Sequence, residues 1–334
     1  MKKLRVGIIG LGVGEAHIAG YESHPACLVT ALCDFSKQKL SAAAKKYPGK
    51  RLTAKAADIL KDPAIDVVSI ASYDNFHHGQ IVEAIRRGKH VFVEKPMCLN
   101  PKEGISIRKA LEAHKKVKIS SNLILRMSPR FQKLREWVRA GKFGKIYYSE
   151  GDYNYGRIHK ITEGWRGRIP YYSVICGGGV HMIDLLLWIR GGTVKSVSAS
   201  GTSIATRGTA FRYSDCVAAL LNFTDGSIAK ITSNYSCVFP HHHLLSMYGT
   251  KATFVNHYGS GKLFFSRDQD KAPEDVVQAY LGPKKGDMIP SYVRSILGQG
   301  EAQVSKEDIF KVLSVCFAID EAAARKSTVI VRYL

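Results

Sequence analysis

A glycine-rich turn, a carboxylate about twenty residues beyond it and a lysine at a strand end are the features of this 334-residue chain best suited to chemistry. The turn is Gly10-Leu11-Gly12-Val13-Gly14-Glu15-Ala16-His17, set directly after the apolar run 4–9 and directly before a helical pattern. The first glycine permits a tight turn, and the second lets the backbone come close to a pyrophosphate, which the following helix N-terminus attracts. Glu15 stands where the usual G-x-G-x-x-G has its third glycine, so the position between strand and helix carries the specificity that the motif alone lacks. Asp34 closes the second strand. A carboxylate there accepts hydrogen bonds from adenosine ribose hydroxyls and repels a 2′-phosphate, which favours NAD ahead of NADP, although Lys37 lies near enough to tolerate a phosphate. Its competing role is a turn residue or helix N-cap. Val91-Phe92-Val93-Glu94-Lys95-Pro96 places Lys95 at the carboxyl end of a parallel strand, where open α/β sheets bind ligands. A solvated surface lysine is the alternative.

Two other groupings are read as chemically silent. His241-His242-His243 suggests a metal, but consecutive histidines on a strand point to alternate faces and no cysteine or carboxylate pattern joins them. No metal is expected, and the segment is read as a loop or strand edge near a substrate mouth. The seven cysteines (Cys27, Cys33, Cys98, Cys176, Cys216, Cys237, Cys316) contain no C-x-x-C pair, which fits buried thiols in a reducing compartment.

The elements that must position these groups follow from periodicity. Strands over 4–9, 28–33, 67–71, 90–94 and from 118 alternate with helices over 16–24, 37–47, 79–87 and 101–114. That rhythm predicts an N-terminal doubly wound dinucleotide-binding domain, residues 1–122, with a parallel sheet covered on both faces. From 123 to 334 the pattern changes to an α+β domain with a large, mostly antiparallel sheet. Its helix 129–139 is followed by strands at 145–155, 194–200, 216–223, 227–235, 243–248 and 252–257, with Asp225-Gly226 as a hairpin turn. A helix over 184–189 starts at Asp184 as its cap. Residues 266–290, which are polar and hold Pro273, Pro283 and Pro290, read as a loop-rich excursion. Ser305 and Asp308 approximate a capping box for a last helix over 305–326.

Composition bounds the class. A chain of 334 residues with 45% hydrophobic content can bury two cores, and no apolar run reaches the ~20 residues that span a bilayer. Met1-Lys2-Lys3 looks like the start of a signal peptide, yet a six-residue strand and a glycine turn follow with no small-residue cleavage site, so a cytoplasmic location is expected. The net charge of +21 is spread through the chain without a helix-turn-helix, zinc-finger or aromatic RNA-binding signature. No nucleic-acid or membrane partner is therefore expected, and the charge favours an anionic small molecule.

Taken together, the motifs resemble the glucose–fructose oxidoreductase and inositol dehydrogenase family, often written Gfo/Idh/MocA. Glu94-Lys95-Pro96 matches its E-K-P motif. Ser72-Tyr73-Asp74-Asn75-Phe76-His77 is similar to its [ST]-P-x-x-x-H cofactor loop, with Tyr73 for proline. Trp165-Arg166 and Gly177-Gly178-Gly179-Val180-His181-Met182-Ile183-Asp184 resemble its W-R and G-G-G…H-x-x-D segments, and Phe223 to Ser227 and Gly249-Thr250 fit its second domain.

The resemblance implies NAD(H)-dependent hydride transfer between nicotinamide and a secondary hydroxyl or carbonyl of a sugar, cyclitol or nucleotide sugar. It implies that Gly10, Gly12, Val13, Gly14, Asp34, Ser72, Asn75, His77, Glu94, Lys95, Pro96, Trp165 and Arg166 bind the cofactor. Lys95, after which a cis peptide is expected, would stabilise developing alkoxide. His181 would be the general base, its competing role being a core histidine. The family usually places an aspartate four residues before this histidine, where this chain has Gly177. Tyr153, Tyr155, His159, Arg168, Tyr171 and Tyr172 flank the gap, and Tyr155 and Tyr235 are the expected substrate contacts beside Lys95 and His181. The loss of that aspartate supports an alternative, a dinucleotide-binding regulatory or scaffold protein without turnover. A homodimer or homotetramer is implied as well.

Overall fold

The computed structural model describes residues 3–280, 282 and 284–334; Met1, Lys2 and Pro283 of the sequence reading lie outside them. The chain divides into two compact units. The first comprises the described residues of Met1–Ile124, Pro283–Phe310 and Leu334, and the second comprises Leu125–Gly282 and Lys311–Tyr333.

In the first unit, strands β1 (Leu4–Ile9), β2 (Cys27–Cys33), β3 (Arg51–Thr53), β4 (Val67–Ile70), β5 (His90–Val93) and β6 (Ile119–Ser121) pair in parallel in the order β3-β2-β1-β4-β5-β6. Helices α1 (Glu15–Glu22), α2 (Lys37–Lys46), α3 (Ala56–Leu60), α4 (Asp74–Arg86) and α5 (Pro101–Ala113) make the crossovers. The strand order turns back between β1 and β4, the place where open sheets of this kind form a ligand crevice. All four β4 residues, Val67 to Ile70, are buried, as continuous apolar strands of a covered parallel sheet should be. The short β3 and α3 were not legible, because the half-exposed Arg51–Thr53 strand carries no apolar alternation. Helix α5 is fixed by its sequence: Asn100 Oδ1 accepts from Glu103 N, Pro101 occupies the first turn, and Glu103 Oε2 accepts from Leu99 N.

In the second unit come α6 (Pro129–Arg139), β7 (Ile146–Asn154), α7 (His159–Thr162), α8 (Val180–Arg190), β8 (Val194–Thr202), β9 (Cys216–Phe223), β10 (Ile228–Asn234), β11 (His242–Gly249), β12 (Thr253–His257), β13 (Ser260–Phe264) and β14 (Glu274–Asp275). The chain then gives α9 (Ile289–Ile296) to the first unit, and ends with α10 (Lys306–Arg325) and β15 (Val329–Ile330). The nine strands run β14-β13-β12-β11-β7-β10-β9-β8-β15, antiparallel except for the parallel pair β7–β10. Alternation is clear in β9, where Val217, Ala219, Leu221 and Phe223 are buried and the residues between them are not. Ser305 and Asp308 form the reciprocal cap that their spacing predicts, at 3.0 and 3.1 Å.

Within the loop-rich stretch 266–290, Glu274–Asp275 adds an edge strand to β13 and α9 begins at Ile289. One expectation is corrected. Asp184 does not cap a helix. Helix α8 starts four residues earlier, continuing a wide turn of π type over Ile175–Gly179, and Asp184 lies inside it. This helix is buried at every position except Trp188 and Arg190, so a carboxylate on it must find a cation. Arg126 supplies one, with Nη2 2.6 Å from Oδ1 and Nε 3.0 Å from Oδ2. A second carboxylate, Asp320 of α10, accepts hydrogen bonds from Ser173 Oγ at 2.9 Å and Tyr171 Oη at 3.2 Å. Burial pushes its carboxyl up to about 6 against the donors Ser173, Cys176 and Tyr171.

Asp184→Ala strands a buried guanidinium and is expected to lower unfolding free energy by about 3–5 kcal/mol in urea titration; a loss below about 1 kcal/mol would contradict the pairing. For Asp320 the folded state holds its proton above the ordinary carboxyl value of 3.8. Its contribution to stability is therefore complete below that value and lost as pH rises through about 6. Relative to Asp320→Asn, the wild type should lose on the order of 2 kcal/mol between pH 4 and 7, and parallel stability curves would refute it.

Candidate active site

The first cluster forms around the glycine turn. Gly10 adopts φ +93°, and a Cβ there would fall within 3.0 Å of the Ala71 carbonyl, so β1 and β4 meet over bare backbone. Gly14 is pressed against Gly10 and Ala71 in the same way, whereas a Cβ on Gly12 would meet nothing nearer than Lys39 Nζ at 3.6 Å. The turn is thus closed behind and open above Gly12, and α1 begins at Glu15 with no side-chain cap on Gly14. A cradle of this form fits a pyrophosphate.

Asp34 is buried at the end of β2 and ties the turn down. Its Oδ2 accepts from Leu11 N at 2.8 Å and from Lys39 Nζ at 3.2 Å, and Oδ1 accepts from Ser36 N at 2.9 Å. Ser36, not Asp34, caps α2. A carboxylate has about four lone-pair sites, so acceptor capacity for ribose hydroxyls remains. Phe35, 64% exposed, packs edge-on against Tyr73 with centroids 5.4 Å apart. Sequence reading missed Lys39 and Phe35, although an exposed aromatic beside a strand-end carboxylate is a usable signal.

Lys95 follows β5, half-buried, and its bond to Pro96 is cis. Beside it Glu94 is buried. Its Oε1 accepts from Asn122 Nδ2 at 2.7 Å and lies 3.4 Å from His17 Nε2, while His17 Nδ1 lies 2.9 Å from Ser69 Oγ. Burial opposes a charge on Glu94, but the His17 hydrogen bond and the Lys285, His17 and Lys95 charges hold its carboxyl well below the usual range. The buried His77 bridges the two loops, with Nδ1 2.8 Å from Pro96 O and Nε2 3.1 Å from Ser72 O. Tyr73 precedes α4 with φ −70°, a value proline also adopts, so the loop keeps its course without proline. Asn75 is exposed in the first turn of α4.

The second cluster lies wholly in the second unit and is built by register. Ser233 of β10 and His243 of β11 both stand opposite Tyr153 of β7. Side chains alternate with a period of two, so Tyr155, Tyr235 and His241 form the next row on the same face. Tyr155 N extends the ladder to Asn234 O at 2.8 Å. Tyr155 and Tyr235 lie 4.7 Å apart between centroids, Tyr153 and His241 5.2 Å, and Tyr153 and His243 5.3 Å. His181, in the first turn of α8, lies 6.1 Å from Tyr153. Trp165 and Arg166 occupy a short helical turn, with the Arg166 guanidinium 4.6 Å over Trp165 and 6.0 Å from the Tyr172 ring. His242 lies 4.6 Å from the Tyr280 ring and 5.7 Å from that of Tyr258, His243 Nδ1 lies 2.6 Å from Tyr280 Oη, and among the described residues no group of three metal-ligating side chains occurs. The structure therefore gathers Gly10, Gly12, Val13, Gly14, Asp34, Ser72, His77, Glu94, Lys95 and Pro96 in one unit, and Tyr155, His181, Tyr235, Trp165 and Arg166 in the other. Tyr153, His241 and His243 were legible only once β7, β10 and β11 were aligned.

The sequence matches a model described as the oxidoreductase family, NAD-binding Rossmann fold, over residues 4–122, and one described as the GFO/IDH/MocA C-terminal domain over residues 131–255. It is 22% identical to myo-inositol 2-dehydrogenase of Thermotoga maritima over 98% of each chain. It is 24% identical to scyllo-inositol 2-dehydrogenase (NAD(+)) of Bacillus subtilis over 75% of this chain and 73% of the relative. Its fold is similar to that of levoglucosan dehydrogenase in complex with NADH and L-sorbose, with a TM-score of 0.87 and 21% identity over 99% of each chain.

Gly10→Ala should be costly for two reasons, the positive φ and the Ala71 carbonyl. Its expected loss is more than about 1 kcal/mol, read as a lower thermal midpoint, and an unchanged midpoint would show that the turn relaxes.

Proposed function

The chain belongs to the GFO/IDH/MocA oxidoreductase family, and from that premise we propose that it is an NAD(H)-dependent dehydrogenase acting on a secondary hydroxyl of a cyclitol, sugar or sugar derivative. The observation that carries the reading is the joint presence, in the first unit, of a cradle open above Gly12 and of Lys95 beside a buried, anionic Glu94. Gly10 to Gly14 would hold the pyrophosphate, Asp34 the ribose, and Ser72, Asn75, His77 and Pro96 the loops around the nicotinamide end. Trp165 and Arg166 keep the cofactor-side role that the resemblance gives them. NAD, when bound, supplies the hydride acceptor for alcohol oxidation or, as NADH, the donor for carbonyl reduction.

Lys95 and His181 divide the remaining chemistry. Negative charge grows on the carbinol oxygen as its proton leaves, the Lys95 ammonium stabilises it, and that charge is spent in forming the carbonyl as hydride leaves the carbon. The hydroxyl proton passes to the His181 imidazole, and in the reverse direction the same group returns it. Tyr155 and Tyr235 contact the substrate. Arg157, 5.2 Å over the Tyr155 ring, supports an anionic member of the substrate class, such as a sugar acid or nucleotide sugar. We further assign the protein to the cytoplasm, a reading supported by seven free cysteines. The open sheet face presents the exposed Leu220 and Ile228, with Tyr148 opposite Ile228 and stacked on Tyr248, and supports a homodimer or homotetramer. Gly177 favours the second reading, a dinucleotide-binding regulator.

Titration calorimetry with NADH and NADPH, followed by NAD+ reduction over inositols, pyranosides, sugar acids and nucleotide sugars, separates the two. Lys95→Ala should cut kcat/KM by about 10²–10³-fold with dinucleotide affinity retained. Absence of dinucleotide binding would end both readings, and binding without turnover on any class would favour the regulator.

A further inference from the structure

Helix α2 opens with charge of the wrong sign for its own stability. Ser36 caps it, and Lys39 stands three residues on, where a capping box carries Glu or Gln and where the helix macrodipole favours an acid. Lys37 adds a second cation to the same turn, which holds no acidic residue. The Lys39 ammonium does not turn away into solvent. It lies 3.2 Å from Asp34 Oδ2, and a Cβ on Gly12 would come 3.6 Å from it. One cation is therefore within reach of both the carboxylate that would take the adenosine ribose and the open top of the glycine cradle. The place is accessible, since Gly12 is exposed and the Lys39 side chain is 45% exposed. The other carboxylate near Lys39, Glu15, is held by Lys46 Nζ at 2.6 Å and Tyr47 Oη at 3.1 Å.

We infer that Lys39 sets the cofactor specificity of this chain by cancelling the Asp34 charge and pairing with a 2′-phosphate, so that NADP(H) is bound nearly as well as NAD(H). This rests on the dinucleotide-binding part of the proposed function and goes beyond it. A carboxylate at the end of β2 ordinarily excludes NADP by repelling the phosphate. Here that carboxylate is already committed. Leu11 N and Lys39 Nζ occupy Oδ2 and Ser36 N occupies Oδ1, which takes three of about four lone-pair sites. The Asp34–Lys39 pair is neutral as a unit, and its bond uses one N–H of three on a side chain open to solvent. A phosphate on the ribose 2′-oxygen would meet those donors, the Lys37 charge and the start of α2 instead of an uncompensated carboxylate. With NAD the same lysine leaves Asp34 about one lone pair for the ribose hydroxyls. The two dinucleotides are thus brought toward equal affinity from both sides.

Calorimetric titration of NADH and NADPH into the wild type and into Lys39→Met, which keeps the stem and removes the charge, tests this. The wild-type Kd for NADPH should lie within about tenfold of that for NADH, and the ratio should widen at least about tenfold in Lys39→Met, the worth of one charge-assisted hydrogen bond. Lys116→Met removes an exposed lysine elsewhere in the first unit and should leave the ratio alone, which separates local pairing from the net charge of +21. Adenosine 2′,5′-bisphosphate against AMP repeats the comparison without nicotinamide and should show the same loss in Lys39→Met. A wild-type ratio beyond about tenfold, a ratio that Lys39→Met leaves unchanged, or an equal shift in Lys116→Met overturns this inference alone. A wild type that binds neither dinucleotide overturns it together with the proposed function.

Discussion

Helix α8 depends on one ion pair. Its sequence is apolar on almost every side, which lets the helix sink into the second unit but gives no preferred rotation about its axis. Asp184 removes that freedom. A buried carboxylate must meet its cation, and the forked contact with Arg126 fixes both direction and register. His181 is three residues earlier, about one turn away on the same side, so the pair that holds the helix also aims the imidazole. The π-type turn before it inherits its placement from the same anchor.

A related logic governs the first unit. Glu94 is kept ionised in the interior by His17, from the helix after the glycine turn, and by Asn122 after β6. One carboxylate thereby joins the helix after the glycine turn, the end of β5 and the end of β6, and Lys95 stands next to it. His77 adds a second brace between the Ser72 loop and Pro96. The residues nearest the proposed chemistry are therefore held by buried polar contacts more than by hydrophobic packing, which favours precise geometry over stability.

How much of this was legible depends on the range of the interaction. Parallel strands buried on both faces announce themselves as apolar runs, and the Ser305–Asp308 cap announces itself by spacing, so the fold class followed from sequence. Asp184 was misread because a helix-starting aspartate is a sound local rule, whereas its true partner is far away in the chain and has no local signature. Tyr172 and Gly177 were visible as residues, yet their relation is a packing fact, because the Cβ that Gly177 lacks and the Tyr172 phenol tip share one space. Tyr153, His241 and His243 needed the alignment of three strands before they could be seen as one row. Lys39 was passed over for Lys37, because which lysine turns back toward Asp34 is set by the start of α2.

The division of the chain into discontinuous units has a consequence for synthesis on the ribosome. Asn122 donates to Lys285 O and Ser120 to Val304 O, so the first unit is completed by segments made roughly 160 to 180 residues later. At elongation rates of about 5–20 residues per second, the nascent sheet waits on the order of ten to thirty seconds for those strands of contact. During that interval the face later covered by α9 stays uncovered while Leu125–Gly282 of the second unit emerges. Maturation cannot be strictly vectorial, first unit and then second. The last part of the chain closes the first part, and a truncated product ending before residue 284 would lack that closure.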